Sequence, residues 1–168
     1  MKILVICGVF AKENEAEVRE HSKRLVDYAA NMFQLRLISG LKGLAENTRV
    51  LSAPFIGSCP NASKLSKFTG FQKEQSLCTY VTFNNIWGIR NISRAKSLKR
   101  AADAFTKDPE KNKMIVVYSP HTPFLEAAVY AKKKDPSIKI CLLVPDLPQY
   151  MNMNAKIGWG YKLAKKVD

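Results

Sequence analysis

The stretch "VVYSPHTPFLEAAVY" at residues 116–130 holds His121, one of two histidines in the chain. An apolar run precedes it and a helical pattern follows, with Thr122 as candidate N-cap and Pro123 at the first helical position. N–H groups at such a helix start are unsatisfied and carry partial positive charge, which suits phosphate or another anion. A histidine there can also donate to a sugar hydroxyl or move a proton near neutral pH. The plainer alternative is a turn residue bonded to backbone. Asp146, in "VPDLP", follows another apolar run. It is a candidate base or hydroxyl-orienting group, or else a turn cap. Gly8 ends the first apolar run, where a missing side chain lets a loop approach a ligand closely. Asn84 and Asn85 follow a third run and are either turn residues or partners for sugar hydroxyls.

Several chemistries are excluded by what these residues lack. There is no GxGxxG for a dinucleotide and no GxxxxGK[ST] for a P-loop. No Ser-His-Asp arrangement stands out among two histidines and scattered serines. The four cysteines, at 7, 59, 78 and 141, form no CxxC and have no histidine at zinc spacing. No metal and no bound cofactor are expected. Three of these cysteines lie in strand-like apolar runs, where the thiol is expected to be a small buried hydrophobe. Free thiols fit a reducing, cytoplasmic setting.

Charge is the most unusual bulk property. Lys and Arg number 27 against 14 Asp and Glu, a net +13. Such an excess attracts polyanions of any kind: nucleic acid, anionic lipid or phosphorylated small molecules. Much of it falls within residues 56–100, which hold Lys64, Lys67, Lys73, Arg90, Arg94, Lys96, Lys99 and Arg100 against Glu74 alone. Phe68, Phe71, Tyr80, Phe83 and Trp87 are interleaved with them. This pattern reads either as a basic lip for anionic headgroups, with Asn84, Asn85, Arg90 and Arg94 facing acceptor or membrane, or as a solvated face over core aromatics. The opening "MKILVICGVF" lacks a cleavage site and is followed at once by "AKENEAE", so no signal peptide is expected. No stretch approaches the roughly 20 apolar residues of a membrane span. The expectation is a cytoplasmic chain that touches the membrane face peripherally.

The elements that must position these residues alternate in type. Residues 3–7, 114–118 and 138–144 are apolar runs typical of strands covered on both faces, and 49–53 and 78–83 are shorter β-rich runs. Residues 14–41 carry helical spacing through Val18, Leu25, Ala29 and Met32 or Phe33, with a break expected near Asn31 and stops at Gly40 and Gly43. Residues 55–70 read as a long loop. Residues 91–105 form a basic helix with Ile92, Ala95, Leu98 and Ala102 on one face. A second helix follows His121, and 155–166 suggest a short last one. The chain length suits one domain. Alternating strands and helices argue for an α/β, Rossmann-like doubly wound fold with a mostly parallel sheet, whose ligands lie beyond the carboxyl ends of the strands.

The blocks "KMIVVYSPHTPFLEAAVYAKK" and "IKICLLVPDLPQYMN", with "KILVICGVF" and "AANMFQLRLISGL" before them, resemble the N-terminal domain of family 4 (group 1) glycosyltransferases of the GT-B fold. The resemblance covers most of the chain; "YSPHTPF" and "VPDLPQYMN" are its most specific parts. It implies the acceptor-side half of a two-domain enzyme that moves a sugar from a nucleotide-diphosphate donor to a glycan or lipid-linked acceptor. Retention of configuration and no essential metal are implied with it. By the same resemblance Gly8 faces the donor diphosphate, His121 reaches the donor sugar or its phosphate, and Asp146 lines the cleft. The family's donor domain, with two glutamates eight positions apart, has no counterpart here. Residues 1–168 are therefore expected to be one acceptor-side domain, inactive alone and partnered by its own C-terminal domain in a longer chain. Two alternatives stand beside this. One is a non-catalytic α/β module that pairs with a separate donor-domain chain or recruits it to a membrane. The other is a nucleic-acid-binding domain, which lacks a helix-turn-helix, RNP or finger signature, so no nucleic-acid partner is expected.

Overall fold

The central sheet is parallel throughout. The computed structural model describes residues 1–71 and 78–145. In chain order these form β1 (Lys2–Cys7), a 3-10 turn (Lys12–Asn14), α1 (Glu15–His21), α2 (Tyr28–Leu44), β2 (Thr48–Ser52) and β3 (Lys67–Phe68). There follow β4 (Thr79–Tyr80), β5 (Phe83–Asn84), α3 (Arg90–Thr106), β6 (Lys113–Tyr118), α4 (Thr122–Lys134) and β7 (Lys139–Leu143). Five strands pair in the order β4-β2-β1-β6-β7, while β3 and β5 form a small antiparallel ribbon of their own. In register, Val5 of β1 stands between Val50 of β2 and Val116 of β6. Alternate residues of β1 and β6 feed two cores, as the two-residue period of a strand dictates. Leu4, Ile6, Ile115 and Val117 meet Leu98 and Ala102 of α3 and Phe124 and Ala128 of α4. Ile3, Val5, Cys7 and Val116 meet Ile38 of α2 on the other face. The sheet is thus wound with helices on both sides, as the alternating pattern predicts.

Several local expectations change. The break in the long helical stretch lies at residues 22–27, not at Asn31. Ser22 Oγ donates to the Val18 carbonyl at 2.7 Å, and Asp27 caps the new helix by accepting from Ala30 N at 2.9 Å. Gly40 and Gly43 sit inside α2, which runs on to Leu44. The stripe that α2 buries is Asn31, Gln34 and Ile38, whereas Leu25, Met32 and Phe33 are exposed. On α3, Arg94 is turned inward and Ile92 outward. The N-cap of α4 is His121 and not Thr122. Among the described residues β7 is the last strand on its side of the sheet, and Ile140, Leu142 and Cys141 are exposed where buried positions were expected. Cys7 is the buried thiol, and Cys59 and Cys78 are half-buried. The helix expected over 155–166 lies outside the described residues.

One buried ion pair ties the far end of the sheet. Lys113, at the start of β6, pairs with Asp135 at 2.6 Å and donates to the Asp108 carbonyl at 2.6 Å. It anchors the end of α4 opposite the one that carries His121. That leaves the carboxyl edge of the sheet free of this constraint.

Candidate functional site

Strand β1 pairs with β2 on one side and β6 on the other, so the chain winds away in two directions from this pair. The loops that follow β1 and β6 part there and open a crevice, the usual place for a ligand in an open α/β sheet. A cavity of about 300 Å³ occupies it, lined among others by Gly8, Phe10, Gln34, Phe55, Tyr118 and His121. Of the residues singled out by sequence, Gly8 and His121 are brought together. Asp146 lies outside the described residues, although its neighbour Pro145 lines the cavity.

The first loop is held from beneath by α2. Gly8 N donates to Gln34 Oε1 at 3.0 Å. Phe10 N donates to Asn31 Oδ1 at 2.9 Å, and Asn31 Nδ2 returns a bond of the same length to the Phe10 carbonyl. Ala11 N reaches Tyr80 Oη at 3.0 Å. Buried amides need such partners, and two helix side chains and a tyrosine supply them. The space left by the missing side chain of Gly8 is taken by the Phe55 ring and not by the cavity. A Cβ built there would lie 2.4 Å from the Phe55 ring, well inside contact distance.

The second loop is strained. Ser119 adopts φ 72°, in the left-handed region that a residue with a Cβ rarely occupies. Its carbonyl accepts from His121 N at 2.8 Å, and the His121 carbonyl accepts from Phe124 N at 2.9 Å. The turn therefore drives the imidazole between two rings, with Phe55 at 5.7 Å and Phe124 at 4.9 Å, both edge-on. His121 Nε2 is buried without a hydrogen-bond partner. Burial, then the charges of Arg94 and Arg90, push the imidazole down to about 4. At neutral pH the ring is held uncharged, a form that can donate or accept a hydrogen bond.

A second hollow of about 420 Å³ adjoins the first and shares Asp27, Phe55 and His121 with it. Arg24, Arg90 and Arg94 line it. The outward-facing expectation for Arg94 is corrected: the residue is 1% exposed, and its guanidinium donates to the Pro54 carbonyl and lies 4.4 Å from the Phe83 ring centre. Arg90 is half-buried and donates to the Ile56 carbonyl at 3.1 Å. Asn85 is also corrected, being buried and committed to the Gly57 and Leu65 carbonyls at 2.7 and 3.0 Å. It pins two loops together. Asn84 is exposed on β5 and lines neither hollow.

Sequence reasoning missed Asn31, Gln34, Phe55 and the strained Ser119. The first two had a signal. Extending the apolar stripe of α2 backward from Ile38 by three and four residues lands on Gln34 and Asn31, polar side chains on a buried face. Such groups need a partner, and here it is the loop after β1. Among the described residues no cluster of three or more His, Cys, Asp or Glu assembles, and no helix is long and apolar enough to cross a membrane. Comparison with protein families, with curated proteins and with solved structures finds no match to this chain.

Proposed function

We propose that the chain is the acceptor-side half of a glycosyltransferase that uses a nucleotide-diphosphate sugar. The observation that carries this reading is the cavity between the loops after β1 and β6, with the unpartnered Nε2 of His121 in its wall. The cavity is of small-ligand size, with apolar and aromatic walls and few polar groups, a combination suited to one face of a sugar ring. Neutral His121 would hold one hydroxyl of that sugar, leaving the ring to be oriented by Phe55 and Tyr118. In the reaction, the acceptor oxygen forms a bond to the anomeric carbon as the bond to the diphosphate oxygen breaks. The nucleoside diphosphate leaves with the bonding electrons, and the acceptor proton passes to it. Donor binding and the rest of the transition-state contacts would come from a C-terminal domain, the chain's own or a partner's. The acceptor is a glycan or a lipid-linked sugar, met at the cytoplasmic membrane face. Support for that setting comes from the net charge of +13 and from exposed Trp87, Ile89 and Ile92 beside Arg90.

The test uses the full gene product from the source cells, with labelled nucleotide sugars and a lipid extract from the same cells. Label should pass to the lipid or glycan fraction, and His121→Ala should lower turnover by about 10²-fold, the usual loss on removing a donor that acts in the transition state. Near-normal turnover in that variant would remove the role given to His121. Ligand binding without transfer from any donor would instead identify a non-catalytic module.

A further inference from the structure

The second hollow holds a buried guanidinium, Arg94, that the Pro54 carbonyl and the Phe83 ring satisfy only in part. Arg90 and Arg94 are four residues apart on one face of α3, where like charges oppose each other. Among the described residues, no carboxylate pairs with either of them or with Arg24 at the rim. Arg94 is 1% exposed, yet its Nε has no partner. His121 Nε2, in the same wall, has none either. A buried cation without a counter-charge destabilises the fold unless something else compensates it. Asp27 is the one carboxylate lining the hollow, and one of its oxygens is already committed to capping α2. The N-terminus of α4, which His121 caps, adds partial positive charge on the same side.

We propose that Arg90 and Arg94 form a seat for a phosphate group, monoester or diester, carried by the acceptor, next to the His121 that holds the sugar hydroxyl. In naming the acceptor the proposal rests on the transferase reading; the phosphate seat stands on the geometry of the hollow. Guanidinium forks match phosphate oxygens in pairs, and the free Nε of Arg94 supplies a donor whose desolvation is already complete. Arg90, half-buried, lines the same hollow and is reached from solvent. The phosphate has two possible sources, a soluble sugar phosphate or a lipid headgroup, and exposed Trp87, Ile89 and Ile92 lie close to Arg90 along the chain.

The experiment titrates the protein at constant ionic strength with inorganic phosphate, with glucose 1-phosphate, and with phosphatidylcholine vesicles with or without phosphatidic acid. Calorimetry reads affinity and the arginine Nε–H resonances read the site. Saturable phosphate binding is expected, with the Arg94 Nε–H signal shifting. Arg90→Gln, a half-exposed position that tolerates change, should weaken binding by about tenfold. Arg94→Lys, which keeps the charge and removes the fork, should weaken it as well. Loss of glucose 1-phosphate binding in Arg90→Gln assigns a soluble source, and loss confined to phosphatidic acid vesicles assigns a lipid one. No saturable binding by the wild type, or wild-type affinity in Arg90→Gln, overturns the seat. Sugar transfer to an unphosphorylated acceptor, unchanged in Arg90→Gln, would overturn the seat while leaving the transferase. Phosphate binding through these residues without transfer would keep the seat and remove the transferase.

Discussion

His121 sits where burial and two guanidinium groups disfavour its charged form, with Asp27 the one carboxylate among the residues lining the same hollows. Phe55 and Phe124 cover its ring, and Arg90 and Arg94 repel a proton on it. Its folded value of about 4 lies below the ordinary value near 6.5. The unfolded chain therefore binds more protons between these two values, and stability must fall as the pH falls through that window. The contribution is fully present above pH 6.5 and lost by about pH 4. With the ring partly reached by solvent, unfolding free energy should drop by about 1–2 kcal/mol from pH 7.5 to pH 5. Asp135, held at about 2 chiefly by Lys113, loses its contribution only at lower pH. Urea denaturation of the wild type and of His121→Gln at both pH values checks this, and the variant should lose most of the slope. An equal slope in both would mean that the imidazole is not buried as described.

At the scale of elements, α2 does more than cover a sheet face. Asn31 holds both the N–H and the carbonyl of Phe10, so the loop after β1 takes its shape from a helix twenty-one residues further on. Asn31→Leu keeps side-chain bulk and removes both bonds, leaving two buried backbone groups unsatisfied. It should cost about 1–3 kcal/mol in urea denaturation and perturb the amide resonances from Gly8 to Ala11. A variant as stable as wild type, with those resonances unmoved, would mean that the loop holds itself. This dependence also explains what could be read beforehand. The runs at 3–7 and 114–118 were legible because a strand buried on both faces must be apolar throughout, and the alternation of strands and helices then gave the fold. Position on the carboxyl edge placed Gly8 and His121. The inward turn of Arg94 was not legible, because a basic residue on a basic helix looks solvated until the facing Pro54 carbonyl and Phe83 ring are known. The exposure of β7 was hidden for a similar reason. Apolar content marks a strand, but which elements pack on its two faces decides whether the side chains are covered.

For the whole molecule the question is how a net charge of +13 meets a surface with a few large apolar side chains. Trp87 and Ile92 are 74% and 71% exposed, on the turn into α3 and on its first turns, and Lys96, Lys99 and Arg100 follow on the same helix. Exposed rings and aliphatic chains beside basic residues favour a surface that is apolar just beneath a layer of anionic groups, as a bilayer with acidic headgroups is. Each basic residue near such a surface contributes about 1 kcal/mol at physiological ionic strength, an attraction that salt screens over about 10 Å at 0.1 M. Binding to phosphatidylglycerol vesicles should therefore be strong at low salt, weaken as salt rises, and be absent with phosphatidylcholine alone. Charge alone would give the same salt dependence, so Trp87 decides whether the apolar residues enter the bilayer. Its emission should shift to the blue on binding, and Trp87→Phe should both lose that shift and weaken binding. The other tryptophan, Trp159, lies outside the described residues, so the readout is the difference between wild type and variant. Salt-sensitive binding with no spectral difference between the two would leave an electrostatic surface only, and α3 would then face the membrane across a layer of water.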